Sequence, residues 1–256
     1  MCLGRVVSLA AILVLFGAGV LAGVASTVAS LASVVSYPVL LALGLPPVSA
    51  NVTNTVALVF TGAGAAAGSR QELAGQGPLI RRLVPLAVAG GAAGAALLLL
   101  TPASAFERAA PILIGGASLL LIVQPWIRGM SARPGGEHSW PLRGALTAVA
   151  VYVGYFGAAA GILLLAVLTA MLDQPLARIN AVKNVLNMFA NAVAAVAFAV
   201  FGPVRWAAVV PLAAGFLAGG WIGPALVRRI PGQGLRIAIG VGGVILAVRL
   251  GLDAYR

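Results

Sequence analysis

Along this chain, apolar runs long enough to cross a bilayer alternate with polar breaks of two kinds: some end a run and others interrupt it. Residues 6–24 form an apolar run, which the polar patch Ser26-Thr27-Val28-Ala29-Ser30 interrupts before a short apolar piece at 31–43. Together these pieces are too long for one span of about 20 residues, and the second is short for a span of its own. The pattern predicts a re-entrant hairpin with its tip inside the membrane. Gly44-Leu45-Pro46-Pro47 then makes a turn, with Pro47 placed to start a helix over 48–68. That helix carries Asn51, Asn54, Thr55 and Thr61 on one face. A polar loop is expected at 70–82, followed by spans at 83–100 and 109–123 joined through 101–108. Residues 124–143 form the longest polar segment, with Trp126 and Trp140 near its ends as interface anchors.

The layout then recurs. An apolar run at 142–156 breaks at Gly157-Ala158-Ala159-Ala160-Gly161, and a short run at 162–172 follows. Asp173-Gln174-Pro175 makes the turn, a long helix extends to about Phe201, and spans at 206–230 and 235–252 close the chain. Local matches support a duplication shifted by about 125–130 residues: Val84-Pro85-Leu86 answers Val210-Pro211-Leu212, and Asn54 answers Asn184. Gly90 and Gly94 answer Gly215, Gly219 and Gly223, glycines at a four-residue spacing that marks close helix packing. The expected architecture is an all-α integral membrane protein of two repeats, residues 1–123 and 142–256, around a central loop at 124–141. Each repeat is a broken hairpin plus three transmembrane helices, an odd number that inverts the second repeat. A hairpin that was one broken span would leave both repeats pointing the same way.

Loop charge decides between the two. The segment 70–82 holds three arginines and its counterpart 202–205 one, whereas 101–108 holds one and its counterpart 228–236 three. Inverted repeats that keep arginine on one side exchange their loop charges in this way. Arg70, Arg81, Arg82, Arg128, Arg133, Arg143, Arg178, Arg228, Arg229 and Arg236 then face the cytoplasm, with both termini outside. Arg5, Arg108, Arg205, Arg249 and Arg256 face the other side.

One stretch breaks the apolar rule most sharply. Residues 177–191 carry four asparagines and a lysine inside a hydrophobic run. At 100° per residue Asn180, Asn184, Asn187 and Asn191 share a narrow wedge that Lys183 borders. Lys183 sits roughly 10 Å into the helix at 1.5 Å per residue. A lysine near a bilayer centre costs about 2.5–3.5 kcal/mol. A structural seam of interhelical amide bonds is one reading; an anion site lined by amides is the other, and it uses the charge.

Composition sets the class. Of 256 residues 61% are hydrophobic and 8% charged, with mean hydropathy +1.08. Continuous apolar runs rich in Ala, Leu, Val and Gly fit helices rather than the alternating segments of a barrel. The net charge of +11 sits largely in short loops, as topology signals do, and does not indicate nucleic-acid binding. Lone Cys2 and lone His138 exclude an internal disulfide and a histidine metal cluster; no metal or cofactor is expected. Arg5 followed by residues 6–24 imitates a signal peptide, but the same layout recurs where no signal stands, so it is read as the first membrane segment.

The succession L-G-L-P-P, Asn/Thr-rich helix, Y-x-G-x-F-G-A-A-A-G-I at 152–162 and N-A-V-K-N-V-L-N at 180–187 resembles the TauE/SafE-type sulfite exporters from about Gly17 to Val248. Where that family has a glycine-rich first tip, this chain has Ser26 to Ser30. The resemblance implies a transporter of small sulfur-containing anions, sulfite or organosulfonates, in the cell membrane. The residues themselves point the same way: helices broken inside the membrane expose backbone N–H groups to an anion. The expected binding residues are Ser26, Thr27 and Ser30 at the first tip, and Gly157 and Gly161 at the second. Asn51, Asn54 and Thr55 join them from the first repeat, and Asn180, Lys183, Asn184, Asn187 and Asn191 from the second. The partners are a small anionic substrate and the lipid bilayer. The alternatives are a permease for another small anion and a non-transporting membrane scaffold or assembly subunit. A membrane enzyme is disfavoured, because no carboxylate or histidine lies inside an expected span.

Overall fold

The computed structural model describes residues 8–29, 32–129 and 139–227, together with Val244, Ile245, Val248 and Leu252. All regular structure among them is helical. The order is α1 (Leu9–Ala29), α2 (Ala32–Ala42), α3 (Pro47–Gly68), α4 (Arg70–Leu73), α5 (Gly77–Leu100), α6 (Ala103–Gly129), α7 (Trp140–Tyr155), α8 (Ala160–Met171), α9 (Leu176–Phe201) and α10 (Trp206–Val227). Prolines open α3, α5 and α7 in their first two positions, where a missing N–H costs nothing.

Several loops are shorter than hydropathy suggests. The segment 70–82 contains the one-turn α4 and the start of α5, so Arg81 and Arg82 are helical. The connection at 101–108 shrinks to Thr101 and Pro102, and α6 continues to Gly129. These first turns stand at the polar edge of the apolar runs, where charged side chains extend a helix without lowering its stability. In the first hairpin α1 runs through Ser26 to Ala29, and the last residue of the expected tip, Ser30, lies outside the described residues. The expected span at 235–252 lies outside the described residues, save the four named positions.

Among the described residues four helices are long and apolar enough to cross a membrane: Leu9–Ser26, Gly77–Leu100, Leu176–Phe201 and Trp206–Gly223. The distribution of polarity agrees. Leu100 is 82% exposed and Phe201 77%, while Asn51, Thr53, Asn54, Lys183 and Asn191 are buried. Polar inside and apolar outside is the arrangement for lipid.

Glycines fix how the helices meet. Gly19 of α1 lies against Leu212 and Gly215 of α10, and Gly23 against Phe216, Gly219 and Gly220. Residue numbers climb together, so α1 and α10 run parallel, backbone on backbone. Gly90 of α5 faces Thr147 and Ala150 of α7, and Gly94 faces Val151 and Tyr155, which makes α5 and α7 parallel as well. A Cβ at any of these glycines meets the opposing backbone, so these close approaches require glycine.

Hydrogen bonds give the remaining directions. At one end Ser49 Oγ donates to the Pro203 carbonyl (2.7 Å), and the Arg205 amide donates to Thr53 Oγ1 (3.0 Å). At the other, Gln76 Nε2 donates to Gln174 Oε1 (2.8 Å), and Arg178 Nη2 to the Ala74 carbonyl (3.2 Å). Between them Gly62 of α3 touches Met188 of α9. Hence α3 and α9 are antiparallel. Gly91 of α5 touches Ala190, so α5 runs with α9. Gly64 of α3 touches Leu217 and Trp221, so α3 runs with α10. The helices thus fall into two sets of opposite direction: α1, α3 and α10 in one, and α5, α7 and α9 in the other.

Candidate functional site: a cavity between two broken hairpins

The asparagine helix positions the centre. In α9 the spacing of Asn184, Asn187 and Asn191 sets them on one face, one turn apart, with Lys183 alongside. All four line a cavity of about 20 Å³. Lys183 is 2% exposed and Asn184 6%. The Asn191 amide Nδ2 donates to the Asn187 carbonyl one turn back (2.8 Å). Asn184 differs: its Nδ2 is buried and, among the described residues, has no hydrogen-bond partner. A buried donor left in that state costs about 1–3 kcal/mol.

The second hairpin supplies another wall, through Gly157 and Gly161. Its tip is built by left-handed residues: Gly157 at φ +71° and Ala159 at φ 55°. The helix α7 ends as the amides of Phe156 and Gly157 both reach the Tyr152 carbonyl (3.0 and 2.9 Å). The Tyr152 hydroxyl donates across the tip to the Ala158 carbonyl (2.9 Å). Ala159 then caps α8, so Gly161 is the second residue of that helix and not part of the break. The first hairpin closes the cavity from its own side through Ser26 of α1 and Ala32 and Ser33 of α2, and α3 adds Leu58.

The expected residues therefore divide. Ser26, Gly157, Gly161, Lys183, Asn184, Asn187 and Asn191 come together at one cavity. Asn180, half-buried, does not line it. The Asn51 amide Nδ2 instead donates to the Tyr155 carbonyl (3.0 Å) and satisfies the C-terminal end of α7. Thr55 Oγ1 donates to the Asn51 carbonyl (3.0 Å). Asn54 bonds two serines of α2. The Thr27 side chain and all of Ser30 lie outside the described residues. Ser33 was not expected. Its signal is a polar triplet, Ser33, Ser36 and Tyr37, at helical spacing in an otherwise apolar segment.

Chemically the wall is rich in donors. It combines one buried lysine, three amides, two hydroxyls and a helix break, and among the described residues no carboxylate lines it. Among the described residues no group of three or more His, Cys, Asp or Glu is placed to hold a metal. The volume has room for about one water.

The family model described as Sulfite exporter TauE/SafE matches residues 15–250, nearly the whole chain. No curated protein and no solved structure matches it. The match runs from the first apolar helix past the asparagine helix and across both breaks, and by it the chain belongs to the sulfite exporter TauE/SafE family.

Proposed function

We propose that this protein exports a small oxyanion, sulfite or an organosulfonate, across the cell membrane, and that the anion binds in the cavity between the hairpin tips. The observation that carries this reading is Asn184 Nδ2, a buried donor with no acceptor among the described residues, on a side chain that lines the same cavity as Lys183. An anion oxygen supplies the missing acceptor and sets a charge opposite the ammonium. Amides, hydroxyls and one cation bind an anion without the rigid two-pronged grip of an arginine, which suits a site that must also release.

The reading includes two inverted repeats, residues 1–123 and 142–256, linked by 124–141. In that correspondence α1 answers α7, α3 answers α9 and α5 answers α10. Each pair has one member in each direction set, which supports inversion. Arg70, Arg81, Arg82, Arg143 and Arg178 belong to the end where α3 finishes and α5, α7 and α9 begin. Arg108 and Arg205 belong to the opposite end. The arginine-rich end is assigned to the cytoplasm. Alternating access then opens one end at a time. On the cytoplasmic side the Gln76–Gln174 contact parts, and on the outer side the Ser49 and Thr53 contacts with residues 203–205.

Proteoliposomes loaded with radiolabelled sulfite test the function. Efflux above that of protein-free vesicles, competed by sulfoacetate or thiosulfate, is expected. Vesicles that retain sulfite, sulfoacetate, taurine and thiosulfate as well as protein-free ones do would refute transport of this substrate class.

A further inference from the structure

Beside the cavity a buried amide is engaged at both ends, and it determines which side of a neighbouring serine is left to act. Asn54 of α3 is 1% exposed. Its Oδ1 accepts from Ser36 Oγ (2.6 Å), and its Nδ2 donates to Ser33 Oγ (3.1 Å). Both serines lie in α2, the returning arm of the first hairpin, and both are buried. A serine hydroxyl has a single proton. Ser36 Oγ lies near two acceptors, Asn54 Oδ1 and the Ala32 carbonyl at 2.8 Å, so its proton is committed to them. Ser33 receives a hydrogen bond from Asn54 and, among the described residues, gives none. Its proton is left for the cavity that it lines together with Asn184.

We infer that Ser33 is a substrate-binding hydroxyl donor to the anion, and that Asn54 is a positioning residue that holds Ser33 in the donating sense. The inference rests on the reading of the cavity as the anion site. A hydroxyl oxygen that already accepts a hydrogen bond is a stronger donor through its own proton. With Asn54 reversed, Ser33 would donate to Oδ1 and turn its lone pairs to the cavity, against an anion. The arrangement therefore selects the sulfite or sulfonate oxygens, which only accept. A substrate group that must donate, such as an ammonium, meets the proton of Ser33 and not an acceptor at that position.

The test is sulfite titration of the purified full-length protein in lipid nanodiscs, with thermal melting of each variant alongside. Ser33→Ala is expected to weaken sulfite binding about tenfold, as for one hydrogen bond to a charged group, and to melt a few degrees lower without sulfite, because Asn54 Nδ2 loses its acceptor. Ser33→Thr, which restores a hydroxyl, is expected to stay within about threefold of wild type. Asn54→Asp, which accepts from both serines, is expected to weaken binding more in the wild-type background than in the Ser33→Ala background, where no hydroxyl remains to be turned. The added charge is common to both arms of that cycle, and Asn54→Ala serves in the same cycle if the aspartate variant does not fold. Wild-type protein that fails to bind sulfite overturns the cavity reading and this inference with it. Wild-type binding with undiminished binding by Ser33→Ala overturns the inference alone. An equal cost of Asn54→Asp in both backgrounds removes Asn54 from the role of positioning Ser33.

Discussion

Replacing Asn184 with leucine separates binding from folding, because the two free energies move in opposite directions. In the protein without ligand Asn184 Nδ2 is buried without an acceptor among the described residues, which costs about 1–3 kcal/mol. Leucine has a similar reach and no polar atom, so Asn184→Leu relieves that cost, and the empty protein is expected to melt higher by several degrees. A kcal/mol corresponds to about 2–4 °C in a chain of 150–250 residues. In the loaded protein the same amide donates to an anion, a charge-assisted bond of about 1.5–3 kcal/mol. Its loss is expected to weaken binding roughly 10- to 100-fold. The assay is a melting curve with and without millimolar sulfite, in the same lipid. Wild type is expected to melt higher with sulfite, and Asn184→Leu to begin higher and gain little. A variant that melts lower than wild type yet keeps the full sulfite shift would show that the amide holds helices together and does not bind substrate.

Further substitutions test the neighbouring parts. Lys183→Met keeps much of the stem and removes the cavity's positive charge; sulfite binding is expected to weaken at least tenfold, about 1.4 kcal/mol, and normal affinity in this variant would remove Lys183 from the site. Lys183→Arg is expected to restore binding only in part, since a planar fork does not replace a compact ammonium; full restoration would mean that charge alone matters. Gly157 stands at φ +71° with the Val153 carbonyl 3.0 Å from where a Cβ would be, so Gly157→Val is expected to abolish sulfite flux, and undiminished flux would take the second tip out of the pathway. For topology, a single cysteine at Ser131 or at Ala254 in a Cys2→Ser background is treated with an impermeant thiol reagent on intact cells. Position 254 is expected to label and position 131 to stay protected; the reverse would reject the proposed orientation.

The cavity was legible in the sequence wherever a polar residue interrupts a helix that lipid would keep apolar. Helical spacing alone aligns Lys183, Asn184, Asn187 and Asn191, and the run from Gly157 to Gly161 announces a break, because glycine tolerates the left-handed backbone found at Gly157. Asn51 and Asn54 were assigned to the right face of α3, but the partners that hold their amides within the protein were not foreseen. Their partners, the Tyr155 carbonyl and two serines of α2, lie 104, 21 and 18 residues away, and no local pattern shows that a helix end there needs an amide. Ser33 escaped for the same reason, since a single serine in an apolar helix differs little from alanine until a tertiary partner orients its proton. Helix ends were drawn too tightly at Arg81, Arg82 and residues 103–108 because polarity marks the edge of the bilayer, whereas helical hydrogen bonding continues past it.

The two kinds of asparagine in this protein show why a polar seam is not by itself a site. Asn54 has acceptor and donor both engaged and Asn51 is bonded to a helix end; each offers its helix stability and has little left for a ligand. Asn184 is buried too, 6% exposed, and among the described residues its amide Nδ2 has no partner. Folding alone would favour an apolar side chain at that position, because the buried donor destabilises the empty protein. The cost becomes useful when an acceptor arrives that the protein does not keep. In a carrier this cost sets affinity and release together. Each donor left vacant in the empty state strengthens the grip on an anion, and each donor held by a neighbour weakens it. On the proposed reading, few such donors and one lysine among the described lining residues are enough for an anion to bind between the tips and leave again.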